Sequence, residues 1–244
     1  MYDLNDFGLT EATLAGAALR RVGKGATSLE QASQDVARFF YDTFADPATG
    51  RPAFVLARCY KTHPLWDLPG PLSAFAHRVF PDQSLTPNTP CLTLLGTFGD
   101  EPAWQSRQAS RGHQAIPLAS EQIIESLPMV ARLTRALGLE ARDVAYPDPT
   151  FLLEQDRRGF NVFHVERALG SPYLPAQEFV RQFGVQSVVG FGFVVPPAHV
   201  FATILFARQP IAAETAELFK TLALNLKLAL LPLAAAPVFE AVAA

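Results

Sequence analysis

Seven side chains in this sequence have the chemistry needed to hold a small molecule: Arg58, Tyr60, Lys61, His63, Arg107, His113 and His164. Arg58, Tyr60 and Lys61 end the apolar run AFVLARCYKT, where a polar side chain must reach solvent or meet a partner. As a pocket wall, they would recognise an anionic or hydrogen-bonding ligand. An edge strand with solvated alternation explains the same pattern. The stretch WQSRQASRGH joins Trp104 to Arg107, Arg111 and His113, a mixture suited to a planar acid or a nucleotide phosphate. A solvated loop is the plainer description.

The five histidines raise the question of a metal or a haem. None is spaced i, i+3 or i, i+4 from another, and neither His-Glu-x-x-His nor Cys-x-x-Cys occurs. His77 and His199 read as surface residues. His63, His113 and His164 sit at strand ends or in irregular segments, and each is open to a ligand contact or to an axial role on haem. Enzymatic signatures are missing: there is no G-x-S-x-G, no phosphate-binding Walker loop and no kinase set. Asp100-Glu101 and the pair Glu154/Asp156 have no partner constellation. The expectation is a protein that is not an enzyme.

Composition narrows the classes further. The chain has 244 residues, 49% hydrophobic and 18% charged, which is the profile of a globular protein with a sizeable core. A net charge of −3 gives no general attraction to nucleic acid or to anionic lipid. Cys59 and Cys91 are too few and too far apart for a disulfide framework, and read as buried thiols in a reducing compartment. The start, MYDLNDFGLTEATL, lacks the pattern of a signal peptide. The most apolar stretch, Leu222–Val238, is interrupted by Lys227, Pro232 and Pro237 and is short for a bilayer span. These features point to the cytoplasm, with neither nucleic acid nor membrane as partner.

The elements that must position the candidate residues follow from periodicity and caps. Ala12–Arg21 reads as a helix, with Thr10 or Asn5 as cap. Ser28 and Gln31 form an S-x-x-Q capping box that opens a second helix, running to Phe44. Strands are expected at Ala53–Thr62 and Cys91–Gly99, with a short third at Ala115–Leu118. In the first of these, alternation puts Phe54, Leu56, Arg58 and Tyr60 on one face, and Val55, Ala57, Cys59 and Lys61 on the other. Leu72–Phe80 is a possible short helix. Glu121–Leu137 reads as one helix closed by Gly138. The region Glu140–Gln182 is irregular apart from a strand at Asn161–Val165, and GSPYLPAQEF within it reads as a lid or a rigid dimer loop presenting Tyr173. Two apolar runs hinged on Pro196-Pro197 make a closing hairpin, which leads into a helix at Ala213–Leu231. There is no βαβ alternation, so an antiparallel sheet is favoured over a doubly wound one.

The closing segment VVGFGFVVPPAHVFATILFARQPIAAETAELFKTLALNLKLALL resembles GAF domains, the small-molecule sensing modules of signalling proteins. Gly190 and Gly192, Ile204–Ala207 and Glu214–Leu230 take the corresponding places. RCYKTHP, CLTLLGTFGDEPAWQSRQASRGHQAIPL and FNVFHVERALGSPYLPAQEFV are similar in texture to bacterial input regions of that kind. The resemblance implies one α+β domain with a central antiparallel sheet of about five or six strands. N- and C-terminal helices would pack on one face, and an extended insert would cover the other. The N-terminal helices would occupy 1–50, the sheet with its inserts 51–210, and the last helix and tail 211–244. It also implies a ligand-binding sensor in a two-component or related signalling system, acting as a homodimer through its terminal helices on a kinase or cyclase output module. The alternatives are a haem- or metal-bound gas or redox sensor through His63, His113 or His164, and a ligand-free dimerisation scaffold. Excess leucine on the last helix carries the dimer expectation, since that helix is apolar around most of its circumference. Burial by the chain's own first helix would account for part of it. The Ala-rich end, LAAAPVFEAVAA, reads either as a linker or as a frayed tail.

Overall fold

The computed structural model describes residues 1–151, 161–197 and 199–240. Glu154 and Asp156 lie outside these, as does the middle of the Glu140–Gln182 region. Six antiparallel strands form one sheet: β1 (Phe54–Pro64), β2 (Pro90–Gly99), β3 (Ala115–Pro117), β4 (Val162–Val165), β5 (Ser187–Val195) and β6 (His199–Ala207). Their order across the sheet is β3-β2-β1-β6-β5-β4. The long strands β1 and β6 pair at the centre, and the hairpin β5–β6 is in register from Ser187↔Ala207 to Val195↔His199.

One face of the sheet carries α1 (Leu9–Leu19), α2 (Leu29–Thr43) and the last helix, Ala213–Leu230. Two of them lie directly on the strands, while α1 packs against the last helix. The capping box at Ser28 forms in part: Ser28 Oγ accepts from the Gln31 amide at 3.0 Å, while the Gln31 side chain accepts from Thr27 N at 2.8 Å. In α1 the helix begins earlier than its periodicity indicates. Glu11 accepts from Gly8 N at 3.0 Å, so neither Thr10 nor Asn5 is the cap.

The opposite face is covered by α4 (Glu121–Glu125), α5 (Pro128–Ala136), α6 (Ala141–Ala145) and α7 (Gln177–Phe183), with α3 (Gly70–Val79) beside β3; the last helix is therefore α8. The single helix expected over Glu121–Leu137 is two. Pro128 drives Leu127 out of the helical region, to φ −107° and ψ 87°, and the helix restarts with proline in its first turn. Gly138 ends it at φ 73°.

This is the α+β architecture that the resemblance implies, a six-stranded antiparallel sheet with the terminal helices on one face and the helices between Glu121 and Phe183 on the other. A large core lies under the helices, where Phe40, Phe44, Phe54, Phe191 and Phe219 pack ring on ring. Phe54 belongs there and not with Leu56, because the β1–β6 register shifts between Phe54 and Leu56 and inverts the alternation at the strand's start. Through residue 240 the C-terminal segment is docked: Pro237 and Val238 carbonyls accept from the first amides of α2, at 3.0 and 2.8 Å.

Candidate functional site

From Leu56 onward, alternation along β1 sends its polar residues to opposite sides. Arg58 and Tyr60 face the α4–α7 cover, with Leu56, Leu94 and Ile204 nearby in the two clusters on that side. Arg58 is 9% exposed; one terminal nitrogen donates to Tyr60 Oη at 3.3 Å, and its Nε has no partner. No carboxylate pairs with it among the described residues. Directly across the β1–β2 pair stands Thr97, whose buried Oγ1 is also without a partner. His113 joins this group from the loop before β3. Its backbone is left-handed, φ 58°, which histidine adopts more readily than most residues, although still at some cost. Its side chain is exposed at the rim; desolvation by the surrounding protein and then the charge of Arg58 lower its pKa.

Lys61 and His63 occupy the other parity, on the helix side, where β1 meets the start of β6. Lys61 is 6% exposed, and among the described residues its ammonium reaches only the Thr62 carbonyl, at 3.5 Å. Burial takes its pKa down to about 8, with Asp67 opposing the fall. His63 is fully buried, and among the described residues its ring nitrogens make no well-formed hydrogen bond, with the Lys61 backbone the one polar group acting on the ring at close range. Burial first, then Lys61 and His199, push its pKa down to about 2, so the ring is neutral. His199 lies 5.9 Å away ring to ring, its own pKa lowered to about 4 by burial and Lys61. A cavity of about 200 Å³ opens beside Lys61 and His199, and one of about 120 Å³ beside His63 and His199. His199 is therefore not the plain surface residue its place at a hairpin tip indicates.

The remaining candidates are elsewhere. Arg107 is held by Glu30, with Nε–Oε1 at 2.8 Å and a terminal nitrogen at 2.7 Å, and lies 5.6 Å over the Phe239 ring. Glu30 also accepts from Gln108 and from the Glu240 amide, so this arginine ties the loop and the C-terminal segment to α2. His164 points to the helix side from β4, with Nε2 unpartnered and its pKa lowered mainly by burial. It lines an open depression of about 420 Å³ with Arg167 and Tyr173. His113, His164 and His63 thus stand in three separate places, and among the described residues no three His, Cys, Asp or Glu side chains are grouped to hold a metal ion. Tyr173 is fixed from the other side, its ring under Arg132 at 4.5 Å. Asp100 is a structural anion, paired with Arg208 and accepting from Tyr41 at 2.9 Å. Cys59 and Cys91 are buried with pKa values pushed up to about 12, which keeps both as unreactive thiols.

Thr97 and Asp67 carry no signal of their own in the sequence, and His199 reads there as a surface residue. Thr97 and His199 gain meaning only from strand register, which sets them beside Arg58 and His63. No single-strand pattern carries that information.

No family model matches the chain, and no curated protein matches its sequence. Among solved structures, the free methionine-R-sulfoxide reductase from Neisseria meningitidis in complex with its substrate is similar over 91% of each chain, with 10% identity and a TM-score of 0.44. A likeness this distant assigns no residue or ligand here. It does correct one expectation drawn from the sequence, that the chain is not an enzyme. That structural neighbour is an enzyme, and a fold hosts catalysis and binding alike, so the architecture does not exclude chemistry. No helix among the described residues is long and apolar enough to cross a membrane.

Proposed function

We propose that the chain is a cytoplasmic small-molecule sensor domain whose ligand meets Arg58, Tyr60, Thr97 and His113 on the covered face of the sheet. One observation carries this reading: a buried guanidinium with a free Nε and no carboxylate partner among the described residues. A charge removed from water without a partner is costly, and an anionic group on the ligand would offset that cost. Arginine's planar fork suits a carboxylate or a phosphate. The signal would leave through α1 and α8, which are in mutual contact, with Asn225 of α8 seated against Gly16 and accepting from Arg20. Two copies would join through the outer side of α8, where Leu224 and Leu228 stay 42% and 44% exposed one helical turn apart, and act on a kinase or cyclase output module.

Differential scanning fluorimetry with small aromatic acids, nucleoside monophosphates and haem tests the ligand. A compound that binds only the folded chain raises the melting temperature with the logarithm of its concentration. Arg58→Ala should remove the increment given by an anionic compound while the chain stays folded. The reading is refuted if no anionic compound gives an increment that Arg58→Ala removes.

A further inference from the structure

The basic end of the sheet on the helix side is a second place with unfilled polar chemistry, and the Arg58 reading does not require it. Three nitrogenous side chains meet there, and among the described residues none has an ion-pair partner: Lys61 makes one long contact, His63 has only the Lys61 backbone acting on it, and His199 lies 5.9 Å from His63 ring to ring. Asp67 stands exposed at the mouth of the 200 Å³ cavity and makes no ion pair with Lys61. The rest of that cavity is apolar, with Phe201, Leu230 and Val238 among its walls. Phe201 is the direct cross-strand partner of Lys61, so the ammonium and the ring share one floor.

We propose that this cavity binds a small monocarboxylate with an apolar body, its carboxylate on Lys61 and its hydrocarbon against Phe201, Leu230 and Val238. A single ammonium beside neutral imidazoles matches one negative charge. A phosphate dianion would meet too few donors and the repulsion of Asp67. At about 200 Å³ the cavity is smaller than the roughly 300–1,000 Å³ typical of drug-sized ligands, which restricts the body to a short chain or one ring. The lysine stays charged at neutral pH, since burial leaves its pKa at about 8. The titratable and charged groups facing it are His63 and His199 from the strands and Asp67 from the turn after β1. The start of α2 and the end of α8 contribute apolar side chains to the cavity. Binding therefore weakens as the pH rises past the lysine's pKa.

Isothermal titration of the full chain with benzoate, hexanoate, benzamide and inorganic phosphate tests this. The two carboxylates should bind and benzamide and phosphate should not. Affinity should fall about tenfold or more between about pH 7 and about pH 9.5, as the ammonium is lost. Lys61→Met should abolish binding, whereas Arg58→Ala should leave it unchanged, which separates this site from the one on the covered face. If Lys61→Met does not fold, the pH series and the amide comparison on the wild-type chain still decide. Equal binding of benzamide, retention in Lys61→Met, loss in Arg58→Ala, preference for phosphate, or no binding of either carboxylate would each overturn the proposal.

Discussion

Arg58 and Lys61 are three residues apart on one strand and live in unlike surroundings. Arg58 lies between the sheet and a cover built of short helices, and its charge is permanent. Lys61 lies between the sheet and long packed helices, and its charge is conditional, because burial has brought its pKa to about 8. Both are nearly dry cations with few partners, yet only one of them responds to pH in the range where proteins are handled. Two faces of one sheet can thus offer a fixed and a titratable cation from a single strand. What separates them is the period of two in strand geometry.

The packing of the two faces differs as well, and that difference gives the largest expected effect. On the helix side a Cβ added at Gly96 would run into the backbone of Ser33 and Gln34 in α2, which cannot yield. On the cover side a Cβ at Gly190 would sit 3.1 Å from the ring edge of Phe163, which can shift. Gly96→Ala should cost about 3 kcal/mol or more, and Gly190→Ala about 1 kcal/mol. Urea denaturation of the two variants measures the gap, and similar costs would break the contrast between the faces.

The next effect is in pH. The pKa of Lys61 falls from 10.5 to about 8 on folding, so between these values the unfolded chain holds more protons and stability rises with pH. The buried ammonium therefore costs about 3 kcal/mol below about pH 8, a cost relieved as the pH climbs toward that of a free lysine. His63, lowered from 6.5 to about 2, acts with the same sign at acid pH: stability is lost progressively as the pH drops below 6.5. Lys61→Met should raise the melting temperature at neutral pH and flatten its alkaline rise, and His63→Phe should flatten the acid fall. Arg58→Met should change neither slope. Melting curves across the pH range give all three, and an alkaline slope that persists in Lys61→Met would show that the conditional charge lies elsewhere.

The smallest effect on stability belongs to the outer side of α8. Leu224→Lys with Leu228→Lys should change folding stability by about 0.5 kcal/mol or less per site, since both side chains are largely exposed. The same pair should convert a dimer to a monomer in light scattering. A wild-type chain that scatters as a monomer at high concentration would remove the dimer from the proposed function.

Much of the fold was legible because its signals are local. The Ser28 cap, the two apolar runs around Pro196-Pro197 and the alternation along AFVLARCYKT each name an element within a few residues. The misreadings came from competing local terms. Pro128 split a helix whose periodicity runs through it, and the shift near Phe54 inverted one residue's face. Of the candidate site residues, alternation alone separated Arg58 and Tyr60 from Lys61. Arg107 looked available because its partner Glu30 is far away in sequence, and an ion pair between a loop and a distant helix leaves no mark on either segment.

The sequence by itself determined the strands and the long terminal helices, which residues are apolar, and that those helices need a sheet to bury against, but not the break at Pro128 or the short helices Ala141–Ala145 and Gln177–Phe183 in a region that reads as irregular. Those properties depend on backbone preference and on periods of two and 3.6, which act over a few positions. Only the tertiary structure decided that Thr97 stands beside Arg58, that His199 closes on His63, and that Lys61 is dry enough to titrate near pH 8. Each of these needs the register between strands or the packing of α2 and α8 against them. Desolvation and hydrogen-bond satisfaction are sums over neighbours in space, and no stretch of chain contains all of those neighbours.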